Sequence, residues 1–358
     1  MENLVTMRFS SNQLCGAIPI SIALKTLQRL RLNNNNFIGE IPRELGNLRA
    51  LRVLDLGDNK LSGNVPVWIG DKLTSLIVLR LHKKNFAGKI PRSLCKTSKL
   101  QILDVGFNNL SGSIPRCLGE LPAMVKSDPN FFKDPDHNES MIQVMKGVDL
   151  IYTNNLGILF NMDLSSNNIV GEIPVELTAL SMLVGLNLSN NDPSGGIPDN
   201  IGHMTALSSL DLSRNKLTGM IPRSMAALTF LSHLNLSHNN LSGRIPTGYQ
   251  LQTLTDPSIY DGNKGLCGVP LPNDCSNKEE TTPKSKNKYK ATDEPMRIWF
   301  YMDIMSGFAT GFWGVIGVLL FKKHWRLKFF MFVEKTIDKI YVVGKVRVAK
   351  INSRRDAA

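Results

Sequence analysis

A motif of about 24 residues, of the form LxxLxLxxNxLxGxIP, recurs along this chain of 358 residues. Its copies begin at Leu4, Leu27, Leu51, Leu76, Leu100, Leu159, Leu183, Leu207 and Leu231. One copy is too short to bury its own leucines, so the copies must stack on one another and bury a continuous core. The period therefore predicts a solenoid in which each copy forms one coil.

The eighth copy, LSSLDLSRNKLTGMIP (207–222), indicates what each motif position does. Its leucines point inward, and its LxL step is a short strand that joins a parallel sheet on the concave face. Asn215 turns the chain, and its amide can bond backbone groups of adjacent coils. Ile221-Pro222 begins an outer return of 3-10 or irregular structure. The predicted fold is an α/β-type leucine-rich-repeat solenoid, with an irregularity in the fourth copy, where Lys84 replaces the asparagine.

The five cysteines are too few for a disulfide scaffold. Cys267 and Cys275 lie in a loop rich in Pro, Gly and Asn, with no histidine or second cysteine pair nearby, which favours a local disulfide over a zinc site. Cys95 and Cys117 occupy nearly the same place in adjacent copies, so a bridge between them is feasible; the alternative is two buried free thiols. Cys15 has no evident partner.

The array is interrupted between the fifth and sixth copies, whose starts lie 59 residues apart. The first half of the interruption, SDPNFFKDPDHNES, is charged and broken by prolines, which is typical of a surface loop. The second half, MIQVMKGVDLIYTNNLGIL, alternates apolar and polar residues and favours a hairpin folded over the concave side. A disordered loop is the alternative.

An apolar stretch, residues 298–321, is followed at once by the basic sequence KKHW. Its uncharged part, from Ile304 to Phe321, would form a helix of about 27 Å. Because the hydrocarbon core of a bilayer is about 30 Å thick, the stretch predicts one transmembrane helix rather than a buried soluble helix. The basic flank is expected on the cytoplasmic side, with the repeats outside, as in a single-pass type I protein.

Gly307, Gly311 and Gly314 form a small-residue surface within this stretch. It indicates either close pairing with a second helix or a glycine-rich span without a partner.

The tail, 322–358, carries 11 basic and 3 acidic residues and so most of the net charge of +12. The repeats are therefore close to neutral, which argues against nucleic acid as a partner. The tail is too short for a protein kinase and is either an amphipathic helix on the inner leaflet or disordered.

Five sequons of the form N-x-S/T predict glycosylation of a secreted surface. They lie at Asn109, Asn138, Asn187, Asn235 and Asn240. Asn187 and Asn235 fall on strands, whereas Asn138 falls in the interruption and is expected to be the most accessible.

The order of segments suggests seven parts. A cap after the last copy is expected to cover the end of the core with Tyr260, Leu266 and Val269. The predicted parts are five repeats (1–116), an island (117–158), four repeats (159–246), the cap (247–275), a charged stalk (276–297), the transmembrane helix (298–321) and the tail (322–358).

The G-x-I-P element, the GN-x-GLCG-x-PL sequence of the cap and this order of segments resemble plant leucine-rich-repeat receptor-like proteins. The group that the chain most resembles includes receptors for ethylene-inducing xylanase. The resemblance implies perception of an extracellular elicitor or peptide at the plasma membrane in plant defence. It also implies that the chain, which begins inside a repeat and shows no signal peptide, is the C-terminal part of a longer receptor.

The resemblance further implies partners. An adaptor receptor kinase would pair with the transmembrane helix through Gly307 and Gly311, and a somatic-embryogenesis-type coreceptor kinase would dock on the last four repeats. Receptors of this kind carry an island before those repeats, which makes Lys146, Asp149 and Tyr152 the first candidates for ligand or coreceptor contact. The concave residues expected to face the coreceptor are Asp163, Asn187, Ser209, Asp211, His233 and His238.

The second interpretation is a binding module that does not signal, such as a decoy or an inhibitor of a cell-wall-degrading enzyme. An enzyme is disfavoured, because the six histidines are scattered. His233 and His238 fall on one strand region, but no carboxylate pair or nucleophile lies in register with them. No cofactor, metal or catalytic residue is expected.

Overall fold

The computed structural model describes most of the repeat-containing part of the chain, namely residues 4–20, 25–83, 85–126, 140–145, 148–153, 159–248 and 250–275. Several predictions lie outside these residues: those on Lys84, Asn138, Lys146, the stalk, the apolar stretch 298–321 with its three glycines, and the tail 322–358. Among the described residues, no helix has the length and apolar character needed to cross a membrane.

The LxL steps form one parallel sheet, called the first sheet, with one strand per coil in chain order. Each strand is short because the asparagine turn follows it. Its strands within the described residues are Thr6–Arg8 (β1), Arg29–Arg31 (β3), Val53–Asp55 (β5), Val78–Arg80 (β7), Ile102–Asp104 (β9), Asn161–Asp163 (β13), Gly185–Asn187 (β15), Ser209–Asp211 (β17) and His233–Asn235 (β19).

A second parallel sheet, which the sequence did not lead us to expect, runs along the solenoid through the xLxG segments. Its strands within the described residues are Cys15–Gly16 (β2), Asn36–Gly39 (β4), Lys60–Asn64 (β6), Asn85–Lys89 (β8), Asn109–Gly112 (β10), Asn168–Glu172 (β14), Asp192–Gly195 (β16), Lys216–Gly219 (β18), Asn240–Arg244 (β20) and Gly265–Cys267 (β21). Every strand of this second sheet except β21 contains a glycine with a positive φ, such as Gly219 at 78°. Residues with a side chain disfavour this conformation.

The outer return of most coils is a single 3-10 turn that follows the Ile-Pro step. The described turns are Arg43–Asn47, Arg92–Lys96, Arg116–Glu120, Val175–Ala179, Ile201–His203, Arg223–Ala227, Leu251–Thr253 and Pro257–Tyr260. Two short α-helices, Trp68–Lys72 (α1) and Pro122–Val125 (α2), accompany them. The leucine-rich-repeat solenoid, with parallel sheets and few helices, is thereby confirmed.

The asparagine that recurs in the motif holds the coils together through a ladder of buried amides. Asn239 Nδ2 donates to Leu212 O of the preceding coil (2.9 Å) and to Leu236 O of its own coil (3.1 Å). Its Oδ1 accepts from the N–H of Leu217 (3.0 Å). Equivalent bonds are made by Asn35, Asn59, Asn108, Asn167, Asn191 and Asn263.

The cap continues this ladder as a tenth coil. Asn263 occupies the ladder position, and β21 pairs with β20. Tyr260 and Leu266 are buried and close the core, as predicted. The prediction for Val269 is wrong, because its side chain is 82% exposed. It follows β21, in the loop between Cys267 and Cys275, and no described coil packs on that loop.

Both cysteine pairs are joined in the structure. The Cα atoms lie 5.7 Å apart in the Cys95–Cys117 pair and 5.2 Å apart in the Cys267–Cys275 pair. Cys95 and Cys117 belong to the 3-10 turns of adjacent coils, so their bond crosses the outer side of the solenoid. Cys15 is a free, exposed thiol.

The second half of the island contains the predicted hairpin. Strands Ser140–Met145 (β11) and Val148–Thr153 (β12) pair antiparallel, with Met141 opposite Tyr152 and Val144 opposite Asp149. The array resumes at Leu159, and β13 pairs with β9 directly, as if no residues had been inserted. The insertion is therefore accommodated without breaking the first sheet.

Candidate functional site

The last residue of each first-sheet strand, which is the middle residue of its LxL step, forms a column that runs from coil to coil. In parallel register, strand neighbours are about 4.8 Å apart, so charged side chains in the column interact. The column reads Arg8, Arg31, Asp55, Arg80, Asp104, Asp163, Asn187, Asp211 and Asn235. Every column residue of coils one to six is charged, whereas two amides and one carboxylate occupy the later coils.

Arg80 is the centre of a buried charge network. Its Nε lies 3.2 Å from Asp104 Oδ2, its Nη1 3.5 Å from Asp55 Oδ1, and its Nη2 3.1 Å from Asp58 Oδ2. Burial raises the pKa of Asp55, although the charge of Arg80 opposes that rise. Three carboxylates on two neighbouring coils thus share one guanidinium, which ties coils three, four and five together.

His82 extends the network toward the edge of the first sheet at which the asparagine turns follow the strands. Its Nδ1 lies 3.0 Å from Asp104 Oδ1, and its ring contacts that of Phe107, with centroids 5.0 Å apart. Burial lowers the pKa of His82, but the hydrogen bond to Asp104 and the charge of that carboxylate outweigh it and raise the pKa. The imidazole is therefore fixed in position by a carboxylate and an aromatic ring.

Asp163 joins the network to the coils beyond the island. Its Oδ1 accepts from the N–H of Ser165 (2.9 Å), and its Oδ2 accepts from Asn187 Nδ2 (3.3 Å). Burial and the neighbouring charge of Asp104 raise the pKa of Asp163 to about 7. Among the described residues, no lysine or arginine forms an ion pair with Asp163.

This raised pKa has a consequence for stability. Between the unfolded pKa of 3.8 and the folded pKa of about 7, the folded state holds the proton of Asp163 more tightly, so stability falls as the pH rises through this window. The raised pKa of His82 acts in the same direction. We expect the Asp163→Asn variant to lose much of this dependence, on the order of a few kcal/mol between pH 5 and pH 8. Urea unfolding at the two pH values measures it; an unchanged dependence in the variant would contradict the assignment.

The structure separates the predicted coreceptor-facing residues into three classes. Asp163 is only 1% exposed and Ser209 is also buried. Asn187, Asp211 and His233 are half-buried, and His238 is exposed. The prediction that Asp163 faces a partner is wrong, because its oxygens accept hydrogen bonds from its own and the next coil. Asp149 and Tyr152 lie on β12, in the island hairpin.

A groove of about 440 Å³ lies where the last coil meets the cap. His233, Asn235 and His238 line one side of it, and Asp256 and Asp261 of the cap line the other. His238 occupies the left-handed turn position, at φ 54°, that precedes each ladder asparagine. The two histidines predicted from the sequence are thus brought together with two carboxylates that were missed.

The described sequons differ in accessibility. Asn109 and Asn240 are exposed. Asn187 and Asn235 are half-buried, and their Oδ1 atoms accept hydrogen bonds from the hydroxyls of Ser189 (2.7 Å) and Ser237 (2.8 Å) in the same sequons. Glycosylation remains a prediction at all of these positions.

The charge network was missed because each repeat was interpreted alone. The motif contains no charged residue, and its x positions, including the middle residue of LxL, are expected to face solvent when one copy is considered alone. Aligning the central LxL residue of successive copies would have shown Arg, Asp, Arg, Asp and Asp in consecutive coils. Aligning Asn263 with the other ladder asparagines would likewise have placed Asp261 beside His238.

Comparison with known proteins gives a consistent assignment. The Leucine Rich Repeat family profile matches residues 26–48, 50–71, 99–121 and 182–204, and a second leucine-rich-repeat profile matches 197–241. Receptor-like protein EIX2 of Solanum lycopersicum is 45% identical over 86% of the chain, and EIX1 of the same species is 47% identical over 86%. The chain spans about a third of the length of these relatives, 31% and 32% respectively.

A solved plant receptor shares the fold. The ectodomain of the Arabidopsis receptor kinase HAESA, in complex with the peptide hormone IDA and the co-receptor SERK1, superposes with a TM-score of 0.54 at 30% identity, covering 75% of this chain and 43% of that one. Together with the two tomato relatives, this likeness extends over the repeats on both sides of the island. Over most of its length the chain is similar to plant leucine-rich-repeat receptor-like proteins.

Proposed function

We propose that the chain is the membrane-proximal part of a cell-surface receptor without a kinase, which binds an extracellular elicitor or peptide in plant defence and signals through partner receptor kinases. The observation that carries the proposal is the identity to EIX1 and EIX2 over 86% of the chain, a share that extends beyond the repeats. The HAESA complex supports a peptide ligand and a SERK-type coreceptor, because that ectodomain binds both.

Two surfaces are proposed for these contacts. The island hairpin, with Asp149 and Tyr152 on β12, is the proposed ligand or coreceptor contact, as is Lys146 between the strands. The groove of His233 and His238, with the exposed turn edge of the last four coils, is the proposed coreceptor surface, to which Asn187 and Asp211 contribute from the first sheet. The stretch 298–321 is proposed to anchor the protein in the plasma membrane and to pair with an adaptor kinase through Gly307, Gly311 and Gly314.

Replacing residues 133–150 with a Gly/Ser loop of equal length is expected to abolish the response to elicitor. The replaced segment includes β11 and the first half of β12, whereas the first sheet is continuous from β9 to β13 without it. In plant cells treated with a fungal xylanase, co-precipitation with the coreceptor kinase should fall to background, while co-precipitation with the adaptor kinase is retained.

The matched control is the double variant Gly307→Leu, Gly311→Leu, for which the opposite result is expected: adaptor pairing is lost while the ectodomain is unchanged. Retained elicitor response in the loop variant would contradict the role of the hairpin. Normal binding of elicitor without association with either kinase would instead favour a decoy that does not signal.

A further inference from the structure

We propose that His82, Asp104 and Asp163 form a binding site for a divalent transition-metal ion, such as Zn²⁺ or Mn²⁺, on the first sheet where the fourth, fifth and sixth coils meet. One donor atom from each of the three side chains lies within 4.8 Å of the other two. An imidazole with two carboxylates is a donor set that suits these ions. The site is distinct from the hairpin and the groove of the proposed function.

The first argument is geometric. Metal–ligand bonds of about 2.1 Å, at angles of 90–110°, separate adjacent donor atoms by about 3.0–3.4 Å. His82 Nδ1 and Asp104 Oδ1 are 3.0 Å apart, so one ion can bridge them in place of the proton that they now share. The carboxylate of Asp163, on the adjacent strand, supplies a third donor atom within 4.8 Å of the other two.

The second argument comes from the repeat, which provides an internal comparison. Asp55 and Asp104 are equivalent, and each accepts the N–H of the glycine two residues later. Beside Asp55, the next strand contributes the guanidinium of Arg80. Beside Asp104, the next strand contributes a second carboxylate, Asp163. Asp55 thus has a cation on the following strand. Asp104 shares that cation, Arg80, on the preceding strand, but it has a carboxylate on the following strand and the imidazole of His82 beside it.

The third argument is a buried hydroxyl that faces the same place. Ser165 is buried beside Asp163, where its hydroxyl favours the ionised carboxylate, but its Oγ makes no well-aligned hydrogen bond within the described structure. Ser165 Oγ and Asp163 Oδ1 lie 3.1 and 2.8 Å from the position that a Cβ on Gly106 would occupy. The missing side chain of Gly106 therefore leaves these two oxygens side by side at the edge of the site, where the hydroxyl can serve as a further oxygen donor.

The surrounding residues favour a fixed site. The ring of Phe107 packs on the imidazole of His82, and Arg80 holds the second oxygen of Asp104 at 3.2 Å. Such contacts orient ligands before the ion arrives. The charge of Arg80 is divided among three carboxylates, so it does not neutralise Asp163. A carboxylate binds a metal ion in its ionised form, so the ion would replace any proton held by Asp163.

The test is titration of the full chain, purified in detergent, with Co²⁺ as the probe. We expect one Co²⁺ per chain, visible-region absorption bands that indicate nitrogen and oxygen ligands, displacement by Zn²⁺, and a higher unfolding temperature with Zn²⁺. Asp163→Asn keeps the shape of the side chain and is expected to weaken binding by about 100-fold or more. His82→Gln is expected to remove the imidazole contribution to the bands.

The matched control is Asp211→Asn, which changes the same strand position two coils further on and is expected to bind Co²⁺ normally. Because Asp163→Asn is isosteric, its fold can be checked by circular dichroism before titration. Stoichiometric binding that is unchanged in Asp163→Asn would overturn the proposal. Uptake of a proton near pH 7 without any binding of Co²⁺ or Zn²⁺ would also overturn it, because the site would then be only a buried acid pair.

Discussion

Replacing Arg80 with methionine is expected to destabilise the repeat array by about 3–5 kcal/mol at neutral pH. The side chain is buried and pairs with Asp104, Asp55 and Asp58 at 3.1 to 3.5 Å. Methionine fills a similar volume but leaves the buried carboxylates of Asp55 and Asp104 without their cation. The cost is therefore the free energy of holding uncompensated charge out of water, and the loss of three attractions adds to it.

The pH dependence of this loss identifies its cause. When the pH falls toward 4, the carboxylates of the variant can take up protons, so the difference in unfolding free energy between variant and parent should shrink. Urea unfolding followed by circular dichroism at pH 4.5 and 7.5 measures both values. The control is Lys216→Met, which breaks an exposed pair with Asp192 (2.8 Å) and should cost less than about 1 kcal/mol. A loss below 1 kcal/mol in Arg80→Met would contradict the network as a source of stability.

The repeat motif was sufficient to predict the parts of the fold that depend on one coil at a time. The inward leucines, the strand of the LxL step and the ladder role of Asn215 follow from a single copy, because stacking imposes the same environment on every copy. Asn215 differs from the other ladder asparagines in the donor to its Oδ1, and the reason is local. The residue in the usual donor position is Pro193, which has no N–H, so the Oδ1 accepts from Asn191 N instead (3.1 Å).

The parts that could not be predicted depend on which residues of different coils become neighbours. Asp163 is 59 residues from Asp104 in sequence, and only the pairing of β13 with β9 shows that they are adjacent. Val269 looked like a core residue because it is apolar, but its burial would depend on a further coil that residues 250–275 do not form. The second sheet required the knowledge that successive xLxG segments come within hydrogen-bonding distance of one another.

Replacing Asn167 with alanine is expected to destabilise the array by about 3 kcal/mol, and to do so at the junction with the island. Asn167 Nδ2 donates to Val105 O of the fifth coil and to Leu164 O of the sixth, both at 3.1 Å, and its Oδ1 accepts from Leu110 N (2.9 Å). All of these groups are buried, so alanine leaves several backbone groups unpaired, each at a cost of about 1–3 kcal/mol. Among the ladder asparagines that the structure describes, the others bond across at most 27 residues.

Because a solenoid is stabilised coil by coil, this loss should weaken the coupling between the two halves of the array. Unfolding is therefore expected to separate into two transitions, and hydrogen exchange at the Leu110 amide should accelerate more than exchange at amides distant from the junction. The matched control is Asn168→Ala, the same substitution one residue later at an exposed site, with an expected cost below about 0.5 kcal/mol. A single unshifted transition in Asn167→Ala, with normal protection at Leu110, would show that the first sheet alone holds the halves together across the island.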